Sequence, residues 1–240
     1  MKKKILLIIP AYNEEKNIVK TITTIKEYKK IKLDYIVIND GSLDNTKMVM
    51  ENNDIDFIDL PFNLGIGAAV QTGYKYAFYN GYDVAIQFDG DGQHDINSVI
   101  ELIKPIVNDK ADMVVGSRYI DETSSEFKST FSRRFGIKVI SSLIYLLSKK
   151  SLKDVTSGYR AVNSKVIELF ANNYPFDFPE PITNYALLKT NFRVKEVAVN
   201  MFEREQGKSS INMLKSGYYM FNVCLSIILF NFKKFKGGIK

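Results

Sequence analysis

The sequence predicts an α/β fold with a mainly parallel sheet, and three observations lead to this fold class. Short apolar, β-branched stretches alternate with stretches of helical periodicity through the first half of the chain, which is typical of successive strand–helix–strand units. Polar loops follow directly after three of the predicted strands, and ligands of such sheets bind beyond the carboxyl ends of the strands. With 240 residues, 45% of them apolar, the chain can bury a sizeable core.

Five strands and four helices are predicted in the first half of the chain. The strands are Ile5–Ile9, Tyr35–Ile38, Ile55–Leu60, Val84–Phe88 and Met113–Val115. The helices between them are Glu14–Lys29, Asp44–Glu51, Gly65–Tyr79 and Ile96–Val107. The second half adds a basic amphipathic helix beginning near Phe131, a polar loop at 154–160, helices at 164–171 and ending near 190, and a strand at 194–201.

The cysteine content and the first apolar segment both favour a cytoplasmic location. The single cysteine, Cys224, cannot form an internal disulfide, which fits a reducing compartment. The first apolar run, Ile5–Ile9, meets Pro10 after five residues, whereas a signal peptide has a longer apolar core and a small-residue cleavage site. The run is therefore interpreted as a buried strand.

The net charge of +6 is concentrated near the carboxyl end of the sequence. Residues 208–240 contain six lysines and no acidic residue. Residues 217–232 are uncharged, but this stretch is shorter than the roughly 20 residues that span a bilayer. Its aromatic side chains and basic flank favour a helix in the membrane interface, and a core helix or a contact between copies of the chain is the alternative. No recognised DNA- or RNA-binding motif accompanies the charge, so nucleic acid is not an expected partner.

The sequence FDGDGQHD, residues 88–95, predicts a metal site. Asp89 and Asp91 follow a predicted buried strand, and on a regular strand their side chains would point to opposite faces. Gly90 and Gly92 allow a sharp turn that brings the two carboxylates together. Oxygen ligands select Mg²⁺ or Mn²⁺, and magnesium sites typically combine one or two carboxylates with substrate phosphates. A nucleoside diphosphate is the expected ligand, and a solvated acidic turn is the alternative.

Two other loops are candidates for nucleotide binding. Asp40, which follows the second strand, can accept a hydrogen bond from a base N–H or a ribose hydroxyl, although Asp40 or Ser42 could equally cap the next helix. The glycine-rich stretch 63–69 lacks the third glycine of a dinucleotide fingerprint, which would fall at Val70. That stretch is interpreted as a helix entry that at most assists a diphosphate.

The chain resembles the family 2 glycosyltransferases with the GT-A fold, most closely the branch of dolichol-phosphate mannose synthases and bacterial polyprenyl-phosphate glycosyltransferases. The matching motifs, in the family's order, are PAYNEE (10–15), VINDGSLDNT (37–46), NLGIGAAVQTGYKYA (63–77), DGDGQHD (89–95), GSRY (116–119), DVTSGYRAVNS (154–164) and EREQGKSS (203–210). The resemblance implies a catalytic domain at 1–210, with a nucleotide-sugar half at 1–120 and an acceptor half at 121–210. Residues 211–240 form a separate basic helix and tail, for membrane-interface or oligomer contact.

The resemblance also implies roles for individual residues. The nucleotide pocket comprises Pro10, Tyr12, Glu14 and Asp40, and the metal and diphosphate site comprises Asp89, Asp91 and Gln93. The residues expected near the acceptor are Arg118, Arg133 or Arg134, Glu180 and Lys208. Arg204 matches an arginine that grips the donor diphosphate, and the expected catalytic set is Asp91, Arg118 and Arg204.

Two positions depart from the family pattern. Where the family often has a first aspartate in the second motif, this chain has Asn39, so base recognition is expected to rest on Asp40. The late motif usually ends Gly-x-Ser-Lys, whereas residues 207–210 here are Gly-Lys-Ser-Ser. Lys208 is the candidate for supplying the displaced charge.

The implied activity is inverting transfer of a sugar from a nucleotide sugar, with a UDP-sugar favoured over a GDP-sugar, to undecaprenyl phosphate or a similar lipid phosphate. A phosphomonoester has its second pKa near 6 and is largely a dianion at neutral pH, so it needs arginines for positioning more than a general base. His94 is accordingly interpreted as structural, with a role as general base as the alternative. Expected partners are the inner membrane surface, a small membrane-anchoring protein and a second copy of the chain. Transfer to a lipid-linked or cell-surface polysaccharide and a non-catalytic nucleotide-sugar scaffold are the alternatives.

Overall fold

The computed structural model describes residues 3–120, 131–202 and 213–232, with the side chains of residues 131–133, 213–218 and 232 excepted. The described residues form a seven-stranded sheet in the order β3-β2-β1-β4-β6-β5-β7. The strands are β1 (Ile5–Ala11), β2 (Asp34–Asn39), β3 (Phe57–Asp59), β4 (Val84–Gln87), β5 (Met113–Ser117), β6 (Arg160–Asn163) and β7 (Val194–Ala198). β6 runs antiparallel to both of its neighbours, and the other pairs are parallel. The predicted fold class is therefore confirmed.

Helices connect the strands and cover both faces of the sheet. In the described part of the chain they are α1 (Ile18–Glu27), α2 (Thr46–Asn52), α3 (Ile66–Tyr79), α4 (Val99–Val107), α5 (Phe131–Ser148), α6 (Ser164–Asn172), α7 (Pro179–Lys189) and α8 (Met213–Phe232). A short 3-10 helix, Ile96–Ser98, precedes α4. The five strands predicted in the first half are present, and none of their ends differs from the prediction by more than two residues.

The interpretation of residues 154–160 as a polar loop is wrong at its last residue, because Arg160 begins the strand β6. β6 pairs with β4 on one side and β5 on the other, so a strand from the second half of the chain lies inside the sheet built by the first half. A charged residue in a buried strand is rare unless it is paired, and the pairing partners of Arg160 come from distant parts of the sequence. The predicted strand at 194–201 is also shorter than expected and ends at Ala198.

Alternation along β1 creates two core clusters, one on each face of the sheet. Ile5, Leu7 and Ile9 belong to the first cluster, which α1 and α4 cover. Leu6 and Ile8 belong to the second cluster, which α3 and α6 cover. Each fully buried side chain of this size contributes about 1.5–3 kcal/mol relative to an exposed one, so β1 contributes strongly to both clusters and is the centre of the fold.

A third core cluster joins the last helix to the rest of the chain. It contains the buried side chains Ile140 and Ile144 of α5, Tyr185 of α7, and Val223 and Ile227 of α8. At the start of α7, Phe178 contacts Tyr219 of α8 with ring centroids 4.9 Å apart. None of the helices in the described part of the chain combines the length and the apolar character needed to cross a membrane.

The outer face of α8 is apolar and exposed. Phe221, Leu225, Ile228 and Leu229 are between 41% and 65% exposed, and their spacing places them on one side of a helix. Val223 and Ile227, which are 0% exposed, occupy the opposite side. α8 is therefore apolar on two faces, and the other described helices cover only one of them.

Ile227→Ala should lower the free energy of unfolding by about 2–5 kcal/mol, because it removes a fully buried side chain from the third core cluster. Ile228→Ala is the matched control, since the neighbouring isoleucine is 41% exposed and its truncation should cost no more than about 1 kcal/mol. Urea unfolding followed by circular dichroism measures both. Equal losses in the two variants would contradict the packing of α8 described above.

Candidate active site

The loops that follow β1, β2 and β4 lie side by side at one edge of the sheet. The pairing register places Ala11 beside Asn39 and Ile8 beside Gln87, so the segments after these strands begin from neighbouring positions. The segment after β5 emerges at the same edge, because β5 runs in the same direction as β4. Ligands of open α/β sheets bind at this edge.

Hydrogen bonds fasten the loop after β1 to the loop after β2. Asn13, whose φ of 56° lies in the left-handed region, accepts the Leu43 N–H through Oδ1 at 2.8 Å. It also donates its own N–H to Ser42 Oγ at 3.0 Å. The Glu14 N–H donates to Thr46 Oγ1 at 2.8 Å. Asparagine tolerates this backbone conformation better than most residues, and the two loops are held as one unit.

The predicted nucleotide-pocket residues of the first loop differ in accessibility. Pro10 is buried within β1. Tyr12 is 41% exposed, and Glu14 is partly buried, with Oε2 accepting a hydrogen bond from Asn17 Nδ2 at 2.7 Å. The ring of Tyr12 is therefore the most accessible of the three side chains to a planar base.

Asp40 holds the glycine-rich entry to α3. Its two carboxylate oxygens accept the backbone N–H groups of Leu64 and Gly65 at 2.8 and 2.9 Å. Burial raises the pKa of Asp40, and these two hydrogen bonds oppose the shift. Asn39 is also buried and donates from Nδ2 to Asp59 at 2.7 Å. Asp40 thus has a structural role at this edge, and its contact with a nucleotide stays a prediction.

The predicted metal loop turns as the glycines suggest. Gly92 has a φ of +78°, and a Cβ at Gly90 would lie 3.2 Å from the Pro10 carbonyl oxygen. The Asp91 side chain accepts the Gln93 N–H at 3.0 Å, which stabilises the turn. Asp91 is buried, whereas the Asp89 side chain is 34% exposed.

The donor set of this loop fits a hard divalent cation that a ligand helps to bind. Within the described residues, no group of three or more His, Cys, Asp or Glu is arranged to hold a metal on its own. Asp89 and Asp91 supply two carboxylates, which is the number that magnesium commonly takes from a protein when substrate phosphates complete the coordination. The loop therefore suits a metal that arrives with a diphosphate better than a permanently bound structural ion.

His94 positions the backbone of the metal loop. Its Nδ1 accepts the Asp89 N–H at 3.0 Å, so the neutral ring carries its proton on Nε2, which lies 3.5 Å from Asp89 Oδ2. The ring stacks on Tyr159 with centroids 4.3 Å apart. Burial lowers the pKa of His94 to about 4. The ring is therefore neutral at physiological pH, and these contacts support the structural interpretation.

The metal loop is also joined to the segment after β7. His94 pairs with Met201 in an isolated antiparallel bridge. The Phe202 N–H donates to the Gln93 carbonyl at 2.8 Å, and Gln93 Nε2 donates to the Phe202 carbonyl at 3.4 Å. Gln93 thus lies in the predicted loop, with its side-chain amide directed at the backbone of a neighbouring segment.

Arg118 forms a buried ion pair directly after β5. Its Nε and Nη2 donate to the two oxygens of Asp154, both at 2.7 Å, and Nη2 also donates to Thr156 Oγ1 at 3.1 Å. Asp154 is in turn held by Glu196, which accepts its N–H at 2.7 Å. A bidentate pair of this kind fixes the plane of the guanidinium, so Arg118 is rigid before any ligand binds.

Arg118 and Arg134 both lie near the ring of Tyr119. The guanidinium carbons of Arg118 and Arg134 lie 5.6 and 5.9 Å from the centroid of the Tyr119 ring. Arg134 is exposed at the first turns of α5. The structure therefore places Arg134 near the same ring as Arg118, while the side chain of Arg133, and Arg204 and Lys208 as a whole, lie outside the described residues.

Glu180 lies in a buried polar network that the sequence did not reveal. Gln87 Nε2 donates to Glu180 Oε1 at 3.4 Å, and Arg160 Nη2 lies 3.9 Å from the same oxygen. Burial raises the pKa of Glu180, and Arg160 opposes that rise. The available signal was the position of Arg160 directly before the apolar pair Ala161–Val162, since an arginine in a strand requires a buried partner.

A comparison with protein families identifies the chain. A family model described as "Glycosyl transferase family 2" matches residues 6–170. The chain belongs to this family. The resemblance stated from the motifs is thus confirmed, and the carboxylates at the end of β4 belong to a glycosyltransferase.

Individual relatives of this glycosyltransferase carry more specific names. The UDP-N-acetylglucosamine–dolichyl-phosphate N-acetylglucosaminyltransferase of Methanococcus voltae is 29% identical over 239 residues, covering 91% of this chain and 94% of the relative. The polyprenol monophosphomannose synthase of Mycolicibacterium smegmatis is 27% identical, covering 91% and 84%. The undecaprenyl-phosphate mannosyltransferase of Micrococcus luteus is 26% identical, covering 87% and 88%.

Solved structures confirm the fold of the glycosyltransferase. Glucosyl-3-phosphoglycerate synthase from Mycobacterium tuberculosis, in complex with Mn²⁺, UDP-glucose and phosphoglyceric acid, superposes with a TM-score of 0.69. The alignment covers 98% of this chain and 81% of that chain at 15% identity. The similarity establishes a common GT-A architecture.

Asp154→Ala should lower the free energy of unfolding of this glycosyltransferase by about 3–5 kcal/mol, because it leaves the buried guanidinium of Arg118 without its carboxylate. Asp109→Ala is the control. Asp109 pairs with Arg193 at 2.6 Å, but its side chain is 89% exposed, so the loss should not exceed about 1 kcal/mol. Chemical denaturation measures both variants, and similar losses would argue against a buried pair at Arg118.

Protonation of His94 should destabilise the glycosyltransferase as the pH falls. The folded-state pKa of about 4 lies below the ordinary value near 6.5, so the unfolded chain binds the proton more readily. The contribution is complete above about pH 6.5 and is lost as pH falls toward 4, by about 1.4 kcal/mol per pH unit.

His94 is the only histidine in the sequence, so His94→Gln isolates its contribution. The difference in unfolding free energy between wild type and variant should shrink from pH 6.5 to pH 4.5. Denaturant titrations at several pH values measure it, and a constant difference would show that the ring is not buried in its neutral form.

Proposed function

We propose that the chain transfers one sugar from a nucleotide sugar to a polyprenyl phosphate, with undecaprenyl phosphate as the expected acceptor. The proposal is carried by one observation: two carboxylates, which suit a cation and a diphosphate, lie at the same edge of the sheet as two arginines, which suit a second phosphate. Asp89 and Asp91 follow β4, and Arg118 follows β5 with Arg134 beside it. The names of the relatives from three organisms support the same class of acceptor.

The proposed donor is a UDP-sugar bound across the ends of β1, β2 and β4. The nucleoside would occupy the unit formed by the loops after β1 and β2, near Tyr12 and Asp40, and the diphosphate would lie at Asp89, Asp91 and Gln93. Mg²⁺ or Mn²⁺ held there would neutralise charge on the departing diphosphate. Mn²⁺ and UDP-glucose in the fold neighbour and the UDP-sugar in the name of the Methanococcus voltae relative support this choice. Arg204 is proposed to contact the same diphosphate.

The proposed chemistry is a single displacement with inversion at the anomeric carbon. An oxygen of the acceptor phosphate forms a bond to that carbon while the bond from the carbon to the β-phosphate oxygen breaks, and the nucleoside diphosphate leaves with the electron pair. Since the acceptor is largely a dianion at neutral pH, no proton has to be removed. This agrees with a site in which His94 is buried and neutral and Arg118 and Arg134 both lie near Tyr119.

Arg118 and Arg134 are proposed to orient the acceptor phosphate. Arg118 is pre-organised by Asp154, so little side-chain entropy remains to be lost on binding. Arg134, at the exposed start of α5, is suited to meet a phosphate that approaches from a lipid surface. Arg133 and Lys208 are proposed as additional basic residues on this side.

The exposed face of α8 is proposed to lie on the inner surface of the cytoplasmic membrane. It presents Phe221, Leu225, Ile228 and Leu229, and exposed basic residues in α5 and directly after it add positive charge (Arg134, Lys138, Lys149 and Lys150). Apolar side chains flanked by cations suit an anionic lipid surface. A small membrane-anchoring protein and a second copy of the chain are the other proposed partners.

The purified protein, given Mn²⁺ and undecaprenyl phosphate in detergent, should convert a labelled nucleotide sugar into a lipid that is extracted into organic solvent and is labile to mild acid. A panel of UDP-glucose, UDP-N-acetylglucosamine and GDP-mannose identifies the donor. Asp91→Asn should lower the rate about 100-fold or more, a loss typical of removing one group that stabilises the transition state.

Asp56→Asn, at an exposed position, is the matched control and should retain full activity. Label found only in polysaccharide when membranes are supplied would favour the glycan acceptor. Binding of the donor without any turnover would favour a non-catalytic scaffold.

Leu229→Glu should reduce binding to vesicles of phosphatidylglycerol and phosphatidylcholine by tenfold or more, since it places a charge in the apolar face of α8. Ser164→Glu, at an exposed position on α6, makes the same change in net charge and should leave binding nearly unchanged. Vesicle flotation measures both. Unchanged flotation of Leu229→Glu, together with dissociation of a dimer in sedimentation, would assign the face to a second copy of the chain instead.

A further inference from the structure

The polar network around Arg160 lies directly beneath the candidate active site. Arg160 and Gln87 are opposite each other in the pairing of β6 with β4, and Gln87 precedes Asp89 by two residues. Arg160 is 0% exposed. Its guanidinium donates to Thr183 Oγ1 and to the Tyr174 hydroxyl, and to Gln87 Oε1 at 3.3 Å. This arginine is therefore fixed from several directions and is not available to bind a ligand itself.

The carboxylate that compensates this buried charge is Glu180. Its Oε1 receives the Gln87 amide at 3.4 Å and lies 3.9 Å from Arg160 Nη2. Glu180 stands in the first turn of α7, and Thr183, one turn later, accepts from Arg160 and donates to the Pro179 carbonyl. The start of α7 is thus attached to β6, and the Glu180 side chain has a defined direction.

Glu180 lies close to the metal loop. A Cβ at Gly158 would lie 2.9 Å from Gln87 Nε2 and 3.5 Å from both carboxylate oxygens of Asp89. The Gln87 amide, which binds Glu180, and the Asp89 carboxylate therefore both lie next to the Cβ position of Gly158. The absence of a side chain at Gly158 lets the three groups approach each other. The Glu180 side chain remains 15% exposed.

We infer that Glu180 contacts hydroxyl groups of the donor sugar and that Arg160 is the residue that positions it. The inference rests on the proposed function and deepens it, because it assigns to the donor sugar a residue that the resemblance places in the acceptor region. In the sheet order, β6 separates β4, which carries the diphosphate site, from β5, which carries Arg118. The sugar is the part of the donor that lies between the diphosphate and the acceptor, and Glu180 lies over that gap.

The chemistry of a sugar suits a carboxylate held in this way. A hexose presents several O–H donors, and an ionised carboxylate accepts up to four hydrogen bonds. Hydrogen bonds to a charged group are stronger than those between neutral groups, and one that is fixed in advance loses little entropy on binding. Arg160 and Gln87 approach one oxygen of the carboxylate, and the backbone N–H of Glu180 also bonds to the carboxylate, so the group is oriented while its side chain stays 15% exposed.

The experiment compares the affinities of a nucleotide sugar and of the corresponding nucleoside diphosphate, both with Mn²⁺, by titration calorimetry. UDP-glucose and UDP-N-acetylglucosamine are each compared with UDP, and GDP-mannose is compared with GDP. The nucleotide sugar whose affinity for the wild type exceeds that of its diphosphate by the largest factor is then used for the variants. Glu180→Gln should weaken binding of the nucleotide sugar by tenfold or more and change binding of the diphosphate by less than twofold. Because both affinities are measured on the same protein, their ratio is insensitive to a fraction that fails to fold.

Three further variants separate sugar contact from structure. Glu180→Asp keeps the charge that Arg160 needs but withdraws the carboxylate by one methylene, so it should lose the preference for the sugar while keeping near-wild-type stability. Glu168→Gln makes the same chemical change as Glu180→Gln at an exposed position on α6 and should leave both affinities unchanged. Arg160→Lys should also reduce the preference for the nucleotide sugar over the diphosphate, because Glu180 would be misplaced. The affinity for the diphosphate should stay unchanged.

Three results would overturn the inference. Equal weakening of diphosphate and nucleotide sugar in Glu180→Gln would place the residue at the metal. A raised KM for the lipid phosphate with unchanged donor affinities would place it at the acceptor. Equal affinity of the wild type for every nucleotide sugar and its diphosphate would show that no residue contacts the sugar. The first and the third of these results are read from binding alone, so failure of the lipid assay is recognised separately as failure of the proposed function.

Discussion

Burial of charged side chains beneath the carboxyl edge of the sheet is the constraint on which the candidate site depends. Arg118 with Asp154, and Arg160 with Glu180, are removed from water and neutralised by partners from distant parts of the chain. Such pairs contribute little net stability, because desolvation offsets much of the attraction between the charges. What they provide is direction, since a buried guanidinium that is held by several partners has few alternative positions.

The antiparallel strand β6 makes this arrangement possible. It carries Arg160 into the sheet between β4 and β5, and the segment before it supplies Asp154 to Arg118 and leaves room at Gly158 for Asp89. The position of β6 between β4 and β5 therefore organises both sides of the site, with the carboxylates on one side and the arginines on the other. The loops after β1 and β2 form a separate unit, joined by Asn13 and by the turn around Asp40.

The fold was largely predictable because local patterns and tertiary packing agree through the first half. Alternation along Ile5–Ile9 predicts a strand buried on both faces, and the structure places its residues in two clusters. The motif at 88–95 likewise predicts a turn, and the structure has one there, with Gly92 at a positive φ. The prediction failed where a residue's state depends on distant partners. In the sequence, Arg160 has the features of a loop residue. Its place in a buried strand depends on four residues that only the tertiary fold brings close to it, namely Gln87, Tyr174, Thr183 and Glu180.

The site shows the same division between local and distant information. Asp91 and Gln93 interact within their own loop, so the sequence alone indicated a turn there. Asp154 binds Arg118 across 36 residues, and nothing in the spacing of the two residues indicates the pair. His94 is an intermediate case, because its bond to Asp89 is local whereas its stacking on Tyr159 is not.

The packing of α8 on α5 and α7 has a consequence for biosynthesis. The buried residues of α5, among them Ile140 and Ile144, need Val223 and Ile227 to complete their cluster. A chain that is synthesised from its amino end presents these α5 side chains long before α8 exists. We expect the third core cluster to close last, which leaves an apolar, basic surface open on the nascent chain during the time when it can first meet a membrane or a chaperone.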